Sequence, residues 1–162
     1  MGLYKKLLAE TPIKVDQQFI EVAVNLDVES AAVDYEDKLK SLMMMDRKED
    51  QHEPPRIDLL LLGMGPDGHT CSLFPGHDLL NEKEKFVAAI KDSPKPPPER
   101  ITLTLPVLNN AKAVAFVSTG EGKKEMIKNI LKDQNESFPA TRVNPKDGEL
   151  FWIIDKPAAS ML

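Results

Sequence analysis

The stretch Ile57-Asp58-Leu59-Leu60-Leu61-Leu62-Gly63-Met64-Gly65-Pro66-Asp67-Gly68-His69 decides the fold of this chain. Its run Ile57–Leu62 is apolar on both faces and is too short to span a bilayer, which is typical of a central strand in a parallel sheet. The run ends in a glycine-rich turn. Ligands of open parallel sheets bind beyond the carboxyl ends of the strands, so this turn is the first candidate for a functional site.

Strand and helix patterns alternate on both sides of this stretch. Alternating or short apolar runs predict further strands over Gln18–Val24, Phe86–Ile90, Ile101–Leu105, Ala113–Ser118 and Leu150–Ile154. Helical spacing predicts helices over Val28–Met45 and Gly122–Lys132, the tail of a helix over Met1–Glu10 and a last helix starting near Lys156. The proline-rich segment Lys91–Glu99 is expected to be a stiff, extended loop. This order predicts an α/β fold with a mostly parallel, Rossmann-like sheet flanked by helices.

Composition excludes several classes of protein. The chain has 162 residues, a net charge of −5, 41% hydrophobic and 29% charged residues, which is typical of one soluble globular domain. The acidic balance argues against nucleic acid as a partner, and the short apolar runs argue against a membrane span. A single cysteine, Cys71, excludes an internal disulfide, and His69 and His77 have no recognised metal-ligand spacing. The absence of a signal peptide in Met1–Glu10 predicts a cytoplasmic protein.

The turn Gly63–His69 contains two ionisable side chains, Asp67 and His69. A neutral imidazole is a natural base because its unperturbed pKa is about 6.5, and a nearby carboxylate can fix its tautomer. The glycines, Gly65 and Gly68 among them, let the backbone approach a ligand closely. The alternative is a tight turn whose histidine only caps the end of the strand. The glycine density and the Asp-x-His spacing favour a catalytic turn.

Two other interpretations of this turn are weaker. Gly63-x-Gly65-x-x-Gly68 formally matches the dinucleotide-binding fingerprint, but Pro66 stiffens the loop and Pro75-Gly76 stops the long helix that the fingerprint requires. Cys71 lies two residues after His69, and side chains two apart point away from each other on a helix or a strand. Cys71 is therefore expected to be a small packing residue rather than a nucleophile.

A second candidate site follows the strand Ala113–Ser118. There the sequence Val114–Lys123 enters a glycine-rich turn that opens a helix, which is an arrangement suited to anions, and Lys123 adds a positive charge. It is not a P-loop, because Val117 stands where the first glycine belongs and Lys124 replaces the Ser or Thr. An ordinary turn with solvated lysines remains the alternative.

Three ordered motifs, Gly63–Pro75, Ser93–Pro106 and Ser118–Lys123, closely resemble the signature of the 6-phosphogluconolactonases. The likeness runs from Gly2 almost to the carboxyl terminus. The related glucosamine-6-phosphate deaminases share the Gly-x-Gly-x-Asp-Gly-His core but carry a Glu five residues after the histidine. Here that position is Phe74, which cannot carry a proton, so the resemblance favours the lactonase.

The resemblance implies a fold of the sugar-phosphate isomerase/lactonase type and hydrolysis of 6-phospho-D-glucono-1,5-lactone in the pentose phosphate pathway. It implies that His69 is the general base that activates water, that Asp67 supports it and that Lys123 binds the substrate phosphate. Arg100 is expected to be a further substrate contact. Opening an activated ester requires neither a metal nor a covalent nucleophile, and no cofactor is expected.

The family sequence extends upstream of Gly2, so residues 1–162 are expected to form a single domain that is incomplete at its amino terminus. The absent part would hold the first strands and a Ser-Gly-Gly phosphate loop. Such a chain is expected to expose apolar strand faces and to be a monomer or a weak homodimer. Two alternatives remain: an impaired homologue that acts as a binding or regulatory protein, and a deaminase-like sugar-phosphate isomerase.

Overall fold

The computed structural model describes residues 20–44 and 53–162. Within these ranges the regular elements are, in chain order, α1 Val28–Met44, β1 Leu60–Gly63, β2 Val87–Ile90, β3 Arg100–Leu103, α2 Leu105–Leu108, β4 Ala113–Ser118, α3 Lys124–Ile127 and β5 Glu149–Ile154. Single 3-10 turns lie at Asp78–Asn81, Glu121–Lys123 and Pro139–Arg142, and a π turn at Lys128–Lys132 continues α3. None of the helices in these ranges is long and apolar enough to cross a membrane.

A parallel sheet with strand order β1-β4-β5 carries the main core. Leu62 is paired with Phe116, which is paired with Trp152, and the last two rings stack at a centroid distance of 4.2 Å. This face shares one apolar cluster with residues of α2 and α3, such as Leu108 and Ile127. The carboxyl ends of the parallel strands therefore meet at one edge of a packed sheet, as the sequence predicts.

The other face of this sheet is apolar and exposed. Its members are the large apolar residues Leu59, Leu61, Val117, Phe151 and Ile153. Leu61 is 71% exposed, whereas its neighbour Leu62 is 8% exposed. The prediction of a central strand at Ile57–Leu62 is thus wrong for the described part of the chain, where β1 lies at an edge and buries alternate residues. The exposed face matches the expectation of uncovered apolar strand faces.

An antiparallel hairpin of β2 and β3 forms a second, separate sheet. Helix α1 packs on it through Ala32 and Leu39, which cluster with Val87. The Glu36 carboxylate also accepts hydrogen bonds of 2.9 and 2.8 Å from the backbone N–H groups of Phe86 and Val87, which fixes the helix to the strand. The hairpin carries the predicted proline-rich loop, residues 91–99, at its tip.

Several predicted elements differ from the observed ones. Helix α1 is described up to Met44, and Met45 lies outside the described residues, whereas β4 has the predicted bounds. The strand predicted over Gln18–Val24 is described only from Ile20, and that part is not a strand because no described strand pairs with it. The helix predicted near Lys156 is a series of turns after Asp155, whose carboxylate accepts from the Ala158 N–H. The helix predicted over Met1–Glu10 lies outside the described residues.

Candidate active site

The turn after β1 folds back tightly on itself. The Gly65 N–H donates to the His69 carbonyl at 2.8 Å, and the Gly68 N–H donates to the Gly65 carbonyl at 3.1 Å. The hydroxyl of Thr70, a buried residue, donates to the Gly63 carbonyl at 2.9 Å. Gly68 has a φ of +77°, a conformation that side chains disfavour. These bonds hold the segment between Gly63 and Thr70 in one shape.

Asp67 and His69 are brought together by this turn. Oδ1 of Asp67 lies 2.5 Å from Nδ1 of His69. Burial raises the pKa of Asp67, but the hydrogen bonds from His69 and Lys95 outweigh it and lower this pKa to about 2. The ionised carboxylate can only accept, so the shared hydrogen belongs to Nδ1 of the imidazole. In that tautomer Nε2 carries the lone pair and is the nitrogen that can take a proton.

Gly65 provides the space in which the His69 ring lies. A Cβ at position 65 would stand 2.0 Å from Nδ1 of His69 and 2.6 Å from Oδ1 of Asp67. A Cβ at Gly68 would meet Met126 and Phe138 at 2.9 Å. Both glycines are therefore required by protein packing. Their predicted contacts with substrate stay predictions.

One aromatic ring packs beside the imidazole of His69. The ring of Phe74, which is 2% exposed, has its centroid 4.8 Å from that of His69. Position 74 is the one at which the sequence separates the lactonase interpretation from the deaminase interpretation. An apolar ring at this place offers the histidine a packing surface and no second proton carrier.

Lys95 is a site residue that the sequence analysis missed. Its Nζ lies 3.0 Å from Oδ1 of Asp67 and 3.2 Å from Nδ1 of His69. It comes from the proline-rich loop at the tip of the hairpin, more than 20 residues along the chain from the turn. No spacing rule connects the two segments; only the tertiary structure brings this lysine to the carboxylate.

Lys123 reaches the same turn from the second candidate site. Its Nζ donates a hydrogen bond of 2.7 Å to the carbonyl of Met64. The approach follows from the sheet, because β1 and β4 are neighbouring parallel strands and their following turns lie at the same edge. Asp155, which the sequence analysis also missed, accepts from the Gly120 N–H at 3.0 and 3.1 Å and fixes the turn that precedes Lys123.

Arg100 holds the proline-rich loop. Its guanidinium donates to the backbone carbonyls of Lys95, Pro96 and Pro97 at 2.8, 2.8 and 2.9 Å. Its central carbon lies 5.7 Å from the centroid of the Phe74 ring. The observed partners of Arg100 are thus parts of the protein next to the site, and its predicted contact with substrate stays a prediction.

The remaining titratable candidates have other roles. Burial raises the pKa of the Cys71 thiol to about 11, so this side chain is a thiol rather than a nucleophilic thiolate at neutral pH.

His77 accepts from the Leu79 N–H through Nδ1 and pairs through Nε2 with Asp92 at 3.0 Å, which closes a 3-10 turn. Within residues 20–44 and 53–162, no three His, Cys, Asp or Glu side chains converge as metal ligands would.

Comparison with known proteins gives a consistent result. The family model described as glucosamine-6-phosphate isomerases/6-phosphogluconolactonase matches residues 1–152. The chain is 54% identical to the 6-phosphogluconolactonase of Rattus norvegicus and 53% identical to that of Homo sapiens, over 99% of its own length and 60% of theirs. The structure matches 6-phosphogluconolactonase from Trypanosoma cruzi with a TM-score of 0.71 at 35% identity, over 88% of this chain and 55% of that one. The chain thus spans 60% of the length of these curated relatives.

Proposed function

This chain belongs to the glucosamine-6-phosphate isomerase/6-phosphogluconolactonase family, and we propose that it hydrolyses 6-phospho-D-glucono-1,5-lactone to 6-phospho-D-gluconate. One observation carries the proposal: the 2.5 Å contact between Asp67 Oδ1 and His69 Nδ1. It leaves Nε2 of an oriented imidazole as a base, at the sheet edge where a ligand of this fold class binds.

In the proposed reaction, water attacks the lactone carbonyl carbon while Nε2 of His69 takes one of its protons. A new C–O bond forms, and the carbonyl oxygen becomes an oxyanion. When the tetrahedral species collapses, the bond between the carbonyl carbon and the ring oxygen breaks. The imidazolium then returns its proton to the departing ring oxygen, which becomes a hydroxyl. Asp67 stabilises the imidazolium between these two steps.

Lys123 is the proposed ligand of the substrate phosphate. Its ammonium lies against the Met64 carbonyl, within the same turn that carries His69. A lysine ammonium has three donors, so one hydrogen bond to a backbone carbonyl leaves two for phosphate oxygens. Binding the phosphate there would place the sugar ring across the turn.

The apolar residue at position 74, Phe74, supports ester hydrolysis over deamination. The deaminases that share the Gly-x-Gly-x-Asp-Gly-His core carry a glutamate there, and Phe74 offers no carboxyl group to move a second proton. Lactone opening needs one group that takes a proton from water and returns it, and His69 is sufficient for that purpose.

The test is hydrolysis of freshly prepared lactone by the purified 162-residue chain, with spontaneous opening in buffer subtracted. Catalysed lactone loss that yields 6-phosphogluconate supports the proposal. Release of ammonia from glucosamine 6-phosphate would indicate the deaminase instead. If the folded chain binds the sugar phosphate and turns over neither compound, it is a binding protein and the proposed activity is wrong.

The predicted cytoplasmic location and the predicted state, a monomer or weak homodimer, remain proposals. Sedimentation velocity over a range of protein concentrations tests the second. Fluorescence microscopy of a tagged chain tests the first.

A further inference from the structure

The ammonium of Lys95 contacts both members of the Asp67–His69 pair. Its Nζ contacts Asp67 Oδ1 at 3.0 Å, and this oxygen is also the one that pairs with Nδ1 of His69. Because an ammonium has donors and no acceptor, Lys95 can bind this carboxylate only by donating to it. One carboxylate oxygen therefore receives two donors, and the Lys95 ammonium also lies 3.2 Å from Nδ1 of His69.

The backbone of Lys95 is held at both of its polar groups. Its N–H donates to Oγ of Ser93 at 3.2 Å, and its carbonyl accepts from the Ser93 hydroxyl at 2.7 Å. The same carbonyl accepts from the guanidinium of Arg100 at 2.8 Å. A further bond of 3.1 Å from the Ser93 N–H to the Pro98 carbonyl closes the loop. These bonds fix the backbone of a half-buried lysine and point to a defined place for its ammonium.

We propose that Lys95 is a positioning residue, whose ammonium fixes the Asp67 carboxylate and thereby the His69 tautomer that leaves Nε2 free to accept a proton. The inference rests on the proposed function for its catalytic consequence, but the contact itself is independent of that function. Without Lys95, Asp67 loses one of two donors and can rotate away from Nδ1. The imidazole would then be less well oriented toward the attacking water.

This role differs from a direct contact with substrate. A residue that orients the base acts on the chemical step and lowers kcat, whereas a residue that holds the phosphate in both the ground state and the transition state raises KM. Among the described residues, the titratable groups in contact with Asp67 are His69 on its own turn and Lys95 on the loop. Lys123 reaches the same turn through the Met64 carbonyl, and Arg100 is engaged with the carbonyls of the loop.

The experiment compares Lys95→Met, Lys95→Arg and Lys91→Met. Lys95→Met removes the charge and keeps most of the length of the side chain. Lys95→Arg keeps both the charge and donors, and so serves as the conservative rescue. Lys91→Met is the matched control: it removes one lysine charge a few residues away, where the ammonium pairs with Glu29 rather than with the site. Steady-state kinetics and the carbon-13 NMR titration of the Asp67 carboxyl group are measured on each full chain.

We expect Lys95→Met to lower kcat about 10- to 100-fold with KM changed less than about twofold, as a misoriented catalytic group does. Lys95→Arg should restore most of kcat, and Lys91→Met should match the unsubstituted chain. The Asp67 titration should move to higher pH in Lys95→Met, because the pKa of about 2 depends in part on the Lys95 hydrogen bond. It should stay in place in Lys91→Met.

Two results would overturn the proposal. A raised KM with an unchanged kcat would make Lys95 a substrate ligand. An Asp67 titration that does not move in Lys95→Met would mean that the contact is not made in solution. If the unsubstituted chain shows no lactone hydrolysis, the proposed function fails, while the titration still decides whether Lys95 holds Asp67.

Discussion

The guanidinium of Arg100 donates a hydrogen bond of 2.8 Å to the backbone carbonyl of Lys95. The side chain of Lys95 in turn lies 3.0 Å from the Asp67 carboxylate, which pairs with His69. A chain of direct contacts therefore runs from β3 through the proline-rich loop to the imidazole. These contacts would let Arg100 influence His69 indirectly, and the contact of Arg100 with substrate predicted from the sequence stays a prediction.

A double-mutant cycle separates these two roles of Arg100. If Arg100 acts through Lys95, Arg100→Gln should lower kcat, and adding it to Lys95→Met should cause little further loss. Residues in one hydrogen-bond network show coupling energies of about 0.5–3 kcal/mol. The measurement is kcat and KM for the two single variants and the double variant. If the losses are additive and Arg100→Gln raises KM, Arg100 contacts the substrate directly instead.

Gly65→Ala should disable the site without unfolding the chain. Its new Cβ would stand 2.0 Å from Nδ1 of His69, so the ring must move, and a displacement of about 1 Å can cost about 100-fold in rate. Gly63→Ala is the matched control, because a Cβ there meets nothing within 4 Å. Lactone hydrolysis and circular dichroism are measured on both. Full activity in Gly65→Ala would mean that His69 does not occupy this place in solution.

Lys123→Ala should mainly raise KM. A charged hydrogen bond to the phosphate contributes about 1.5–3 kcal/mol, which is about one to two decades in affinity. Lys124→Ala provides the comparison, because the ammonium of Lys124 pairs with Glu121 at 2.8 Å, whereas that of Lys123 binds the Met64 carbonyl next to the catalytic turn. Its KM should be unchanged. Equal effects of the two substitutions, or a fall in kcat alone for Lys123→Ala, would contradict the phosphate assignment.

The two faces of β1 should differ in their contribution to stability. Leu62→Ala removes a buried side chain from the main core and should lower the free energy of unfolding by about 2–5 kcal/mol. Leu61→Ala changes a side chain that is 71% exposed, and should cost less than about 1 kcal/mol. Urea denaturation measures both. A cost for Leu61→Ala as large as that for Leu62→Ala would show that this face is covered in solution.

The sequence predicted the elements whose signals are local. The apolar runs located β1, β4 and β5, helical spacing located α1, and the glycine-rich turn located Asp67 and His69. The separate antiparallel sheet of β2 and β3 was not predicted, because the apolar pattern of a strand does not reveal its partner.

Site residues that arrive from distant segments were also missed. Lys95 and Asp155 act through contacts that bridge 28 and 35 positions of the chain. Charged side chains in a loop carry no periodic signal, so nothing in the sequence distinguished Lys95 from Lys91, the other lysine of its loop. The missing side chain of Gly65 makes room for the His69 ring, a packing role that the sequence did not reveal, and its predicted approach to a ligand stays a prediction.

Lactone hydrolysis by the chain with and without His69 tests the central claim most directly. The rate catalysed by His69→Ala, after subtraction of spontaneous opening, is compared with that of the unsubstituted chain and of His77→Ala, whose histidine closes a 3-10 turn. A positioned base contributes about 10²–10⁴-fold, so His69→Ala should lose nearly all catalysed turnover while His77→Ala keeps it. A folded His69→Ala chain that retains more than half of the catalysed rate would contradict the assignment of His69 as the base.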